Sequence, residues 1–289
     1  MNLREKVESG KFIVTSEIGP PKGIEIKGIL EDIEPLRNKI DAFNVTDLQS
    51  SVMRLGSLAM CIILKQKGFE PIFQITCRDR NRLALQSDLL NAALFGIENV
   101  LALTGDHPRL GDHPQAKPVF DLDSVQLLEV IKNLNEGKDM VGNSLQGKPN
   151  FFPGAVVNPG AEPIEPEIIK MEKKIKAGAK FFQTQAVYDV EIFAKFIERV
   201  RYFKVPIFAG IVLLKSAGMA RYMNENVAGV SVPQNIIEEM TKTKDKAATS
   251  VDIAARIITA VKPLCQGIHI MPIGWDKVVP LVLEKGGLI

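Results

Sequence analysis

The chain has 289 residues, 46% of them hydrophobic and 24% charged, with a net charge of +2 from 36 basic and 34 acidic side chains. This is an ordinary globular composition able to bury a large core, and basic residues that form no block and have few aromatic neighbours argue against nucleic acid or a membrane surface as a partner. Three dispersed cysteines, Cys61, Cys77 and Cys265, read as neither a disulfide framework nor a metal or iron–sulfur site, and the lack of a signal-peptide core or of any run near about 18 apolar residues points to a cytoplasmic protein.

In chain order, eight short runs rich in β-branched or aromatic residues read as strands: 12–18, 42–47, 71–77, 99–104, 151–157, 180–186, 206–213 and 267–273. Helical spacing lies between them. Residues 25–38 set Ile26, Ile29, Leu30, Ile33 and Leu36 on one face, and 124–134 do the same with Val125, Leu127, Leu128, Ile131 and Leu134. Residues 164–177, 189–203 and 250–262 repeat the pattern. Gly68, Gly96, Gly137 and Gly178 fall where helices should stop, and Ser124, Asp189 and Asp276 are candidate N-caps. Alternating strands and helices imply parallel pairing through right-handed crossovers, and eight such units predict a (β/α)8 TIM barrel spanning 1–289 as one domain. An open doubly wound sheet is the alternative, but the first βα turn lacks G-x-G-x-x-G and no phosphate-binding P-loop occurs.

Two connections exceed plain links. Residues 105–123, with His107 and His113 among glycines and prolines, form a long loop after strand 4, and 214–249 after strand 7 read as an extra helical insertion broken at Val232-Pro233. His107 and His113 have no metal-ligand spacing, so no metal is expected, and His269 inside an apolar strand reads as a core histidine.

A buried parallel strand is apolar along its length, so a polar group at its C-terminal tip is the first to meet a ligand. Glu17, Thr46-Asp47, Gln74 and Thr76, Thr104-Gly105-Asp106, Asn158, and Gln183 and Gln185 are such tips. Glu17 is a candidate general acid or, equally, a loop clamp beside Pro20-Pro21. Asp106 can stabilise a developing cation or open an Asx-turn. Gln185, and Gln183 two residues before it on the same face, can read the edge of a heterocycle.

These residues occur within Thr15-Ser16-Glu17-Ile18-Gly19-Pro20-Pro21, Asn44-Val45-Thr46, Gln74-Ile75-Thr76-Cys77-Arg78-Asp79-Arg80-Asn81, Leu103-Thr104-Gly105-Asp106 and Lys176-Ala177-Gly178-Ala179-Lys180-Phe181-Phe182-Gln183-Thr184-Gln185. In this order the sequence resembles the methylenetetrahydrofolate reductase family along nearly its whole length. The resemblance implies a barrel holding FAD or FMN at its mouth, whose reduced form passes a hydride to 5,10-methylenetetrahydrofolate to give 5-methyltetrahydrofolate, a reaction of one-carbon metabolism and methionine biosynthesis. It implies Glu17 as the acid that opens the folate ring, Asp106 as the carboxylate beside flavin and pterin, and Gln185 as the folate-binding amide; Gln183, on the same inward face, is the second expected substrate contact. Thr46, Gln74, Thr104, Gly105, Phe120 and Asn158 are the expected flavin contacts, with Lys174 at the phosphate end.

The sequence also departs from the family's pattern. Gln74 stands where several members carry histidine, Leu214-Lys215-Ser216-Ala217 stands where an aromatic is usual, and His269-Ile270-Met271-Pro272-Ile273-Gly274-Trp275 replaces a Tyr-x-x-x-Arg element. The pattern resembles an anaerobic branch, some of whose members work with a partner subunit, so the implied electron donor is NAD(P)H or a partner electron-transfer protein. The outer helices of such barrels often form homo-oligomers. Two alternatives are a flavin-free folate-binding barrel, such as a methyltransferase or pterin synthase, and a non-catalytic partner subunit.

Overall fold

The computed structural model describes residues 1–289. The eight strands are β1 (Ile13–Ile18), β2 (Ala42–Val45), β3 (Pro71–Thr76), β4 (Asn99–Leu103), β5 (Phe152–Val157), β6 (Phe181–Ala186), β7 (Ile207–Val212) and β8 (Gly267–Met271). They pair in parallel in sequence order, and β8 returns to β1 with Thr15 opposite His269, which closes the barrel. The expected TIM barrel is therefore the fold, and the open sheet is not. No helix is long and apolar enough to cross a membrane.

Eleven α-helices accompany the strands: α1 (Leu3–Glu8), α2 (Lys27–Ile33), α3 (Ser57–Gln66), α4 (Arg82–Leu94), α5 (Ser124–Asn135), α6 (Glu165–Lys176), α7 (Val190–Val200), α8 (Ala217–Asn226), α9 (Gln234–Lys242), α10 (Lys246–Val261) and α11 (Val279–Lys285). The apolar faces anticipated over 124–134 and 250–262 are buried along α5 and α10. The stretch over 25–38 is shorter as an α-helix than its periodicity suggests. Pro35 has no N–H to donate, and the chain tightens into a 3-10 turn at Glu34–Leu36 that still buries Leu36. Gly68, Gly96, Gly137 and Gly178 all take positive φ, as helix-stopping glycines do.

Asp189 caps α7 as expected, accepting from the backbone N–H groups of Glu191 and Ile192. Two other caps differ. Asp123, not Ser124, caps α5, because its carboxylate reaches two free N–H groups while Gln126 reaches back in a capping box. Asp276 caps nothing; it opens a 3-10 turn at Asp276–Val278.

Inward-facing side chains form layers along the barrel axis. The floor comprises Ile13, Ala42, Ile72, Leu101, Phe152, Phe181 and Phe208, with the three phenylalanine rings stacked at 5.4 and 5.3 Å. α1, which the periodicity did not reveal, seals the bottom by inserting the fully buried Leu3 into this layer. The larger core, 65 buried residues, lies between strands and helices. It includes Ala220, Met223, Val232, Ile236 and Met240 of the α8–α9 insertion, so the insertion packs on the barrel's own core.

Candidate active site

Above the apolar floor the barrel interior turns polar. Asn44 and Gln183 exchange amide hydrogen bonds across the barrel at 2.7 and 3.0 Å, and Gln183 Nε2 also donates to Thr15 Oγ1 at 3.3 Å. Thr15 Oγ1 lies 2.9 Å from His269 Nδ1, whose Nε2 stands 3.8 Å from Glu17 Oε2. Burying amides and a hydroxyl here is tolerable because each has a partner. Glu17 caps this column: its side chain is 11% exposed and its Oε1 accepts from Gln49 Nε2 at 3.0 Å.

The column opens into a cavity of about 420 Å³ lined by the tips of several strands, Glu17, Thr46, Gln74, Asp106 and Gln185 among them. Thr46 Oγ1 is buried in this wall without a hydrogen-bond partner, a deficit that a ligand atom in the cavity would remove. Gly105, on the same wall, takes φ +93, and a Cβ there would crowd Thr76 and Arg78 at 3.1 Å, so the turn at the β4 tip requires glycine. Thr104 lies beside it and accepts from the Ser124 N–H, which joins the β4 tip to the start of α5. Asp106 and Gln185 are exposed at the rim, and no hydrogen bond within the chain engages their side chains.

Lys174 of α6 reaches into the same cavity, 3% exposed, with its Nζ donating to the Val156 carbonyl. Burial holds its ammonium down to about 8; Glu167 opposes the fall and Lys170, also on the cavity wall, adds to it. No carboxylate stands within ion-pair distance of Lys174, so an anion entering here would compensate a desolvated cation. An unpartnered hydroxyl and a desolvated lysine on one cavity wall fit a phosphorylated flavin.

Other tip residues do different work. Asp47 is also on the cavity lining but is fully buried, accepts from the Thr76 backbone N–H and hydroxyl, and pairs with Arg80 at 2.8 Å, so its carboxylate braces the β2 and β3 tips. Asn158 was expected at the cofactor but lies outside the cavity. Its Nδ2 donates to the Ala228 carbonyl at 2.9 Å, which ties the β5 tip to the turn between α8 and α9. Phe120 is also outside the cavity lining, at φ +40 with its ring tilted on His107 at 6.4 Å. Gln183 lines the cavity floor, but Asn44 and Thr15 already use its amide. A second cavity, about 500 Å³ beside Tyr188 and Gly229, has two of its polar lining side chains, Asn158 and Asp189, already bonded to backbone, and Glu162 also lines it.

At the β7–β8 rim, Lys215 Nζ stands 5.7 Å from the Trp275 ring centre. Asp276 beside them has its carboxyl pushed up by burial and by Asp32 and Glu17, with Lys215 opposing. Glu17 therefore faces a rim carrying both a cation and a second, buried carboxyl. Gln49 and Lys170 were not singled out from sequence; a lysine one turn before Lys174 on the same helix was a readable signal, whereas Gln49 depends on loop dihedrals.

Residues 2–287 match the family model for methylenetetrahydrofolate reductase. Methylenetetrahydrofolate reductase 2 of Schizosaccharomyces pombe is 26% identical, with 100% of this chain and 47% of that protein aligned. Methylenetetrahydrofolate reductase (NADH) 1 of Arabidopsis thaliana is 24% identical over 99% of this chain and 50% of its own length. The chain thus spans about half the length of these curated relatives. Among solved structures, a Clostridium thermocellum protein that binds two copies of 5-methyl-5,6,7,8-tetrahydrofolic acid superposes with a TM-score of 0.69 at 17% identity, covering 99% of each chain. With the family model matched from end to end, this chain belongs to the methylenetetrahydrofolate reductase family.

Proposed function

We propose that this chain is a single-domain, flavin-dependent reductase of 5,10-methylenetetrahydrofolate. The observation that carries this reading is the convergence of Glu17, Asp106 and Gln185 on one cavity whose wall holds the unpartnered Thr46 hydroxyl. Gln185 would read the pterin edge through its free amide. Glu17 would protonate a nitrogen of the folate's five-membered ring, and the Asp106 carboxylate would face the iminium cation that opening leaves. Thr46, Gln74, Gly105 and Lys174 would hold the flavin, Lys174 at its phosphate, and bound reduced flavin supplies the hydride. The cysteines are dispersed and buried and offer no iron–sulfur ligand set, so the electrons come from a dissociable donor, a nicotinamide nucleotide or a partner electron-transfer protein.

The test is the visible spectrum of the purified protein under anaerobic conditions, before and after 5-methyltetrahydrofolate is added. Flavin absorbance that bleaches on addition is the expected result, because the reaction run backwards reduces the flavin. A colourless protein that neither FAD nor FMN reconstitutes would overturn it. That outcome would favour a second reading, a flavin-free barrel binding folate alone, which the two folate molecules in the Clostridium thermocellum protein make specific.

A further inference from the structure

The turn after β2 is built in an unusual way. Leu48, Ser50 and Ser51 all take positive φ, +47, +56 and +58, and none is glycine. Left-handed backbone at residues with a Cβ costs energy and persists only where surrounding contacts enforce it. Here the enforcement is visible. Arg78, 2% exposed, donates to the Leu48 carbonyl at 3.2 Å and to Ser51 Oγ at 3.0 Å, and Ser51 Oγ donates to the Asp106 carbonyl at 2.9 Å. Gly111 presses on the same turn so closely that a Cβ there would stand 1.8 Å from the Ser51 carbonyl oxygen. Between the left-handed residues sits Gln49, whose amide reaches Glu17.

We propose that Gln49 is a positioning residue for Glu17, held by this strained turn so that its side-chain amide fixes which carboxyl oxygen delivers the proton. The inference rests on the acid role of Glu17 set out above. Gln49 Nε2–H occupies Glu17 Oε1, which leaves Oε2 to carry the acidic hydrogen. When Oε2–H gives that proton to the folate nitrogen, the C–N bond to the methylene carbon breaks. Its electron pair stays on that nitrogen, the methylene carbon is left in an iminium with the other nitrogen, and Glu17 becomes a carboxylate. The Gln49 donor then faces a full negative charge, and a donor to the charged form strengthens the acid. The other groups facing Glu17 are His269 from β8 and Asp276 beyond it, with Lys215 opposite Asp276. Neither acidic nor basic neighbour occupies Oε1, so the amide has that oxygen to itself. Because the turn is also bonded to the Asp106 backbone, one loop sets the spacing of acid and counter-charge.

The test uses Gln49→Met, which keeps length and removes the amide, in anaerobic stopped-flow reoxidation of the reduced flavoprotein by 5,10-methylenetetrahydrofolate. Expected are unchanged flavin binding and oxygen reoxidation, a folate-dependent rate lower by about ten- to a hundredfold, as loss of a hydrogen bond to a charged group implies, and a high-pH limb of the rate profile displaced to higher pH. An unchanged rate and limb would overturn the inference, and so would an equal loss of oxygen reoxidation or flavin binding, which marks general damage. If wild-type protein itself binds flavin but is not reoxidised by the folate, the reductase reading falls and this inference with it. The two failures are distinguishable because the second appears without any substitution.

Discussion

His269 Nε2 stands 3.8 Å from Glu17 Oε2, while its Nδ1 meets Thr15 Oγ1 at 2.9 Å. The barrel's polar column therefore ends on the carboxyl proposed to deliver a proton, with Gln49 holding the other oxygen. Glu17→Gln preserves shape and removes the acid. It should leave flavin bound and its reduction by the donor intact, and lower reduction of 5,10-methylenetetrahydrofolate by about 10²- to 10⁴-fold. Single-turnover kinetics of the two half-reactions check this, and full turnover by the variant would remove Glu17 from the acid role.

Asp106 stands at the rim with its backbone bonded to Ser51 and its carboxylate free. Asp106→Asn removes a negative charge without changing size. The folate half-reaction should slow by about 10²-fold, and the flavin should become easier to reduce, with a more positive midpoint potential. A redox titration beside the stopped-flow trace tests both; no change in either would leave Asp106 as a turn residue only.

Lys174 yields a pH dependence with a definite sign. Its ammonium titrates at about 8 in the ligand-free fold against 10.5 when unfolded. Between those values the unfolded chain binds more protons, so stability rises with pH across that window; below about 8 the penalty is constant, on the order of 3 kcal/mol. Lys174→Met should abolish that rise in denaturant unfolding measured from pH 7 to 10. It should also weaken flavin binding, and wild-type affinity should fall as pH passes about 8. A flat wild-type stability profile would contradict the burial argument.

Leu3 closes the barrel floor far from the mouth. Leu3→Ala should cost about 2–5 kcal/mol, as truncation of a fully buried leucine does, with flavin affinity unchanged. A lower urea midpoint at constant slope would support this. Loss of flavin affinity would show that floor and mouth are coupled.

The strands and helix faces were legible because periodicity, turn glycines and apolar runs are properties of neighbouring residues. That is why β1 to β8 fall within the runs read from the chain, and why glycines such as Gly68 and Gly178 stop helices where expected. Errors came where two local signals compete. Asp123 displaced the adjacent Ser124 as a cap, and Pro35 cut short a helix whose apolar spacing continued.

By itself, then, the sequence determined the alternation that closes into a barrel, and with it the convergence of Glu17, Thr46, Gln74, Asp106, Lys174 and Gln185 on one mouth. Only the tertiary structure decided how each polar group is used. It sends Asn158 to the α8–α9 turn, engages Gln183 with Asn44, seats Leu3 in the floor and brings Gln49 to Glu17. The reason is physical: a strand tip is set by local apolar pattern, but its partner is set by the register of other strands and the dihedrals of loops packed against them, and those depend on residues far away in the chain.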